Sequence, residues 1–173
     1  GALVGSVIGS NISSRSKRRR PNNFDQQVAF FAALFACLAK IAKADGRVDE
    51  AEIQKIEEII SSKLNLNKEH RNFAINIFQK AKDDNVSFEA YAFNLYQVLS
   101  SSPNSLLVFY EMLFELALAD GILHPDEDKL LRQIPRIFRF DEKVYKSLYE
   151  KFVERTNDYF KTLGVDENAS FNE

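Results

Sequence analysis

Apolar residues recur at helical spacing along most of the chain, and no stretch alternates with the two-residue period of a strand. From Phe24 to Lys43 two stripes coexist: Phe24, Val28, Phe31, Phe35, Leu38 and Ala42 form one, and Phe30, Leu34, Cys37 and Ile41 the other. A helix apolar around so much of its circumference belongs at the centre of a bundle. The next helix, from Glu50 to Lys63, has an ordinary single stripe of Ile53, Ile56, Ile60 and Leu64. Asn67 then caps a helix whose inward residues are expected to be Phe73, Ile77 and Ala81, and Asp83-Asp84-Asn85 ends it. Ser87 opens a fourth helix with Phe88, Tyr91, Leu95 and Val98 inward. Ser102-Pro103 opens a fifth, apolar nearly all round from Leu106 to Leu118. A sixth runs from Pro125 to Phe138, with a kink or stop expected near Ile134 because Pro135 lacks a backbone donor. Asp141 caps a seventh, carrying Val144, Leu148 and Phe152.

Two of these helices end alike. Leu38–Glu52, LAKIAKADGRVDEAE, returns 75 positions later as Leu113–Glu127, LFELALADGILHPDE. Each copy reads as helix, tight turn, helix, with Gly46 or Gly121 where the backbone must turn left-handed. After the first turn Asp49 is an N-cap and Glu52 its capping-box partner; after the second, His124 takes the cap and Pro125 the first helical position. The fold expected is all-α, a single bundle of about seven helices with an internal two-fold helix–turn–helix repeat. The two apolar helices that precede the turns should meet at its centre.

These ADG turns, the apolar helices before them and the glutamate after each resemble the TerB-like (tellurite-resistance) domain, in the version carried by membrane-anchored DnaJ-like co-chaperones of the DjlA type. The resemblance covers about 24–154. Beyond it, Asn157–Val165, NDYFKTLGV, resembles the opening of a J-domain, with Asp158, Tyr159, Leu163 and Gly164 at the matching positions. The organisation expected is therefore a membrane-proximal tail at 1–21, a TerB-like domain at 22–155 and a truncated J-domain start at 156–173.

Charge and composition refine this reading. Five of the 23 basic residues, Arg15 and Lys17–Arg20, fall in a stretch that contains no acid, so the remainder carries 18 basic against 25 acidic residues. An acidic folded part argues against nucleic acid as partner. Gly1–Ile12 is apolar, with glycines at 1, 5 and 9, the spacing at which membrane helices pack closely. It is too short to cross a bilayer, which takes about 20 residues. Followed by SRSKRRR, however, it has the look of the cytoplasmic end of a membrane anchor. The lone Cys37, inside the most apolar helix, is expected to be buried and unreactive.

Candidate chemistry is sparse. Asp45, Asp49 and Glu52 imitate half of a calcium loop, but Ile41 and Lys43 stand where oxygen ligands are required, and the second copy offers Leu116 and Leu118. If the two turns share one end of the bundle, Asp45, Asp49 and Glu52 approach Asp120, Asp126 and Glu127, and that cluster can hold a divalent cation or basic partner residues. The same acids serve equally as helix caps. His124-Pro125-Asp126 spells the J-domain tripeptide, but in that family it follows the DYxxLGV stretch, whereas here it precedes it, and a helix start explains it fully. No catalytic set or phosphate loop is visible, so no enzyme and no cofactor are expected.

The resemblance implies a non-catalytic interaction or regulatory domain of a co-chaperone at the cytoplasmic face of a bacterial inner membrane. Its implied partners are a DnaK-type chaperone engaged through the J-domain, a client or partner protein on the helical domain, the membrane, and a second copy by self-association. The alternative is a metal-ion-binding stress-response domain that uses the acids of the ADG turns.

Overall fold

The structure, a computed structural model, describes residues 23–44, 46, 53–54, 57–58, 66–119 and 121–155. Among them there is no strand, and seven α-helices follow one another: α1 (Asn23–Ala44), α2 (Lys68–Asp83), α3 (Phe88–Leu99), α4 (Pro103–Ala117), α5 (Pro125–Leu131), α6 (Ile134–Phe138) and α7 (Lys143–Tyr149). A π-helical turn, Glu150–Glu154, continues α7. Ile53, Gln54, Glu57 and Glu58 are also helical, inside the span expected for the second helix, and Glu57 lies 3.8 Å from the Arg71 guanidinium of α2.

α1 is the axis of the bundle. Every residue from Ala33 to Ala39 is buried, as is Ile41, and α2, α3, α4 and α5 all pack against this helix. Gln26–Ala44 is long and apolar enough to cross a membrane by length and composition alone. Burial of Ala33–Ala39 on every side shows that the bundle core makes the same demand. Burial pushes the Cys37 thiol far above its ordinary titration range, in keeping with an inert core cysteine.

The repeat is visible in the core. Leu34, Phe35, Leu38, Ala39 and Ile41 of α1 are buried, and so are their counterparts 75 positions on, Phe109, Tyr110, Leu113, Phe114 and Leu116 of α4. The two helices meet where the Phe30 ring stands edge-on to Phe109 with centroids 5.5 Å apart. Phe109 continues to Phe138 at 5.8 Å, and Phe114 stacks on Phe152 at 6.1 Å. A fully buried Phe or Leu contributes about 1.5–3 kcal/mol. An exposed ion pair such as Arg136–Glu89 contributes about 0–1 kcal/mol. This aromatic seam therefore holds the bundle together.

Three expectations need correction. Phe73 is 43% exposed and Ile77 only half-buried; α2 turns Ala74 and Phe78 inward, one position round from them, together with the expected Ala81. Two alanines on that face let α2 approach the alanine-rich side of α1 more closely than Phe73 would allow. On α3 the fully buried positions are Phe88, Ala92, Leu95 and Leu99, while Tyr91 and Val98 are half-buried at its margin. α4 is not apolar-buried all round: Leu107 and Val108 face solvent. The proline break falls as expected, since the chain leaves α5 after Leu131 and restarts at Ile134 with Pro135 in the first turn of α6.

Candidate functional site

The two ADG turns are the natural place to look for chemistry, and an aspartate hub holds a helix next to each: Asp84 the helix before the first turn, Asp128 the helix after the second. After α1 the chain turns at Gly46, whose φ is 78° and whose amide donates to the Lys43 carbonyl at 2.9 Å. Lys40, one turn earlier, donates to Asp84 twice, at 2.8 Å to Oδ1 and 2.9 Å to the backbone carbonyl. The Tyr91 hydroxyl donates to the other oxygen of the same carboxylate, and the Val86 amide to Oδ1 at 3.0 Å. Lys43 reaches the Lys82 carbonyl at 2.7 Å. The end of α1 is thus tied to the α2–α3 loop. Hydrogen bonds from Lys40 and then Tyr91 hold the Asp84 carboxyl below the ordinary range, and burial followed by the Asp84 bond pushes Tyr91 up to about 12.

At the second turn the carboxylate hub lies in the helix that follows it. Gly121 has φ 89° and donates to the Leu118 carbonyl at 2.9 Å. The Glu127 carboxylate accepts the His124 amide at 3.0 Å, closing the start of α5. One position later Asp128 accepts from Arg132 Nε at 2.7 Å and from the Tyr145 hydroxyl, and the Arg132 guanidinium lies over the Tyr145 ring at 4.4 Å. The hydrogen bond to Asp128 raises the Arg132 pKa; burial, then that same carboxylate, raises Tyr145. Beneath them the Tyr110 hydroxyl donates to the Leu131 carbonyl at 2.7 Å.

Of the six acids expected to gather into a cation site, Asp45, Asp49, Glu52 and Asp120 lie outside the described residues. Asp126 pairs with Lys129 at 2.9 Å on the surface of α5, and Glu127 is engaged as a cap. Among the described residues no group of three or more His, Cys, Asp or Glu side chains is placed to hold a metal ion. Glu127 closes the start of α5, and Pro125 of His124-Pro125-Asp126 takes the first position of that helix. Asp158, Tyr159, Leu163 and Gly164 lie outside the described residues. Sequence reasoning missed Asp84 and Asp128 as hubs. Asp84 read only as a helix end, and the tyrosines that complete each hub stand 7 and 17 residues from their aspartates, with no local signal linking them.

The family model of tellurite resistance protein TerB matches residues 31–149, the whole run from the core of α1 to the end of α7. The chain belongs to the TerB family. Curated relatives refine the type of this TerB-like domain. It is 36% identical over 124 residues to the co-chaperone protein DjlA of Photobacterium profundum, covering 72% of this chain and 44% of that protein. The DjlA of Coxiella burnetii is 28% identical over an alignment of 179 residues, gaps included, that covers 93% of this chain and 65% of the relative. That of Escherichia coli K12 is 29% identical over 134 residues, 76% and 49% of the two chains. The chain thus spans between 44% and 65% of the length of these relatives. No solved structure matches it.

Proposed function

We propose that this TerB-like bundle is the non-catalytic interaction and regulatory domain of a membrane-anchored DnaJ-type co-chaperone that acts with a DnaK-type chaperone. The observation that carries the reading is the company the domain keeps. The likeness to the Coxiella burnetii protein covers 93% of the chain, and so takes in part of the sequence on each side of the bundle. Those flanks hold the apolar and basic 1–21 on one side and NDYFKTLGV on the other. In this reading the N-terminal stretch belongs to a membrane anchor on the cytoplasmic face of a bacterial inner membrane. The bundle spaces the J-domain from the bilayer and offers clients or partners a helical surface. The described side chains favour a scaffold over a reaction centre, because the carboxylates of both hubs are occupied by lysine, arginine and tyrosine within the bundle.

The test is the single-turnover ATPase of a DnaK-type chaperone from the same organism. It is measured with the full gene product, with this 173-residue chain, and with the full product carrying a substitution of the His in the J-domain tripeptide that should follow. Stimulation by the full product alone is the expected result. Stimulation by the 173-residue chain, or an unaffected substituted protein, would sink the reading.

A further inference from the structure

Two of the large apolar side chains left open on the bundle stand over one groove. Val28, in the second turn of α1, is 38% exposed, and Phe73, in the second turn of α2, is 43% exposed. Both line a groove of about 500 Å³ between the two helices, with Phe31 and Leu66 half-buried along it and Phe35 as its buried floor. Its place in the chain is distinctive. Arg20, the last of five basic residues, is three positions before the first residue of α1, and so within about 11 Å of it in any conformation. Val28 lies five positions into the helix, about 7.5 Å further along its axis. Positions 1–24 hold those five bases and no acid, whereas the remainder carries 18 basic against 25 acidic residues. The groove thus lies beside the positive end of an otherwise acidic chain.

We propose that this face of the bundle rests on an anionic bilayer: Arg15 and Lys17–Arg20 pair with headgroup phosphates while Val28 and Phe73 enter the boundary between headgroups and acyl chains. The proposal rests on the anchor reading above and adds to it a contact face, and hence an orientation, for the bundle. Charge and apolar exposure select this partner together. Basic residues close to an anionic membrane attract it over about a Debye length, and apolar side chains of an interfacial segment reach about 5–10 Å into it. An apolar peptide would use the groove and leave the five bases idle; a bilayer engages both. The groove itself does not oppose the approach. Glu69 is the single acid of its described lining, Lys68 precedes it, and the neighbouring Arg71 is paired with Glu57. The groove is therefore close to neutral, and the basic stretch sets the sign.

The chain contains no tryptophan, so a single introduced indole reports its own surroundings. The whole chain carrying Phe73→Trp is mixed with phosphatidylcholine vesicles, with or without about one third phosphatidylglycerol, at about 0.1 M salt, where the Debye length is about 10 Å. Its emission should shift to the blue and be quenched by lipids brominated on their acyl chains, with partition at least about tenfold stronger onto the anionic vesicles. Phe93→Trp, equally exposed on α3 but turned towards Tyr96 and α6, should stay unquenched. Adding Val28→Glu to the Phe73→Trp protein should abolish the quenching while the chain still sediments with the vesicles. Replacing Arg15, Lys17, Arg18, Arg19 and Arg20 together by glutamine should weaken partition at least about tenfold. Sedimentation with an unquenched Phe73→Trp probe would overturn the docking and leave the anchor reading standing; no sedimentation would overturn both. Equal quenching of the Phe73→Trp and Phe93→Trp proteins would also overturn it. So would a blue shift that needs higher protein concentration and no lipid, the mark of a second copy in the groove. Circular dichroism of every variant verifies that it is folded.

Discussion

Asp84 shows how much one side chain organises. Its carboxylate joins Lys40 of α1, Tyr91 of α3 and the Val86 amide, so three segments depend on its charge. Its pKa is lowered in the fold, so the stabilisation it supplies is present above the pKa of an unfolded aspartate and is lost as pH falls through the lowered folded value. Thermal unfolding followed between neutrality and about pH 3, below the ordinary aspartate pKa, should therefore show the parent losing stability on the acid side. Asp84→Asn should melt lower at neutral pH and lose less on acidification. Equal acid slopes in the two proteins would remove Asp84 from the account. Tyr91→Phe is the matching control, since it deletes one donor and leaves the Lys40 ion pair in place.

Each apolar helix ends in an ADG turn because the backbone there becomes left-handed, at φ 78° for Gly46 and 89° for Gly121. At Gly46 an added Cβ would meet nothing within 4 Å, so a substitution tests conformation and not space. Gly46→Ala should cost about 1–2 kcal/mol, the left-handed penalty of an L-residue, and Gly46→Asn less, because asparagine tolerates that region. Chemical denaturation that ranked the two variants equal would mean that the turn does not control the end of α1. The break between α5 and α6 has the same origin in covalent geometry, with Pro135 ending one hydrogen-bond ladder and opening the next. These features were legible in the sequence because they are imposed by single residues on their own backbone.

For the whole molecule, the question raised by the acidic turns is whether they bind a cation. The capping reading, supported by Glu127 on the His124 amide and Asp126 on Lys129, predicts that calcium, magnesium, manganese and zinc leave the melting temperature unmoved. The expectation is the same for the parent and for Asp45→Asn combined with Asp120→Asn. A saturable rise in the parent that disappears in the double variant would establish a site that joins the two turns.

The sequence by itself determined the all-α class, the duplicated helix–turn–helix, the burial of Cys37 and the central place of α1, because periodicity, glycine and proline act locally and a helix apolar all round has nowhere else to go. Only the tertiary structure decided which face of α2 turns inward, leaving Phe73 outside, since a one-position rotation depends on how closely the alanines of α1 let a neighbour approach. It also decided that Asp84 and Asp128 are hubs and that Leu107 and Val108 stand open. A hydrogen bond from Lys40 to Asp84, 44 residues apart, leaves no trace in any window of sequence. The exposure of one helix face depends on what the rest of the chain places over it.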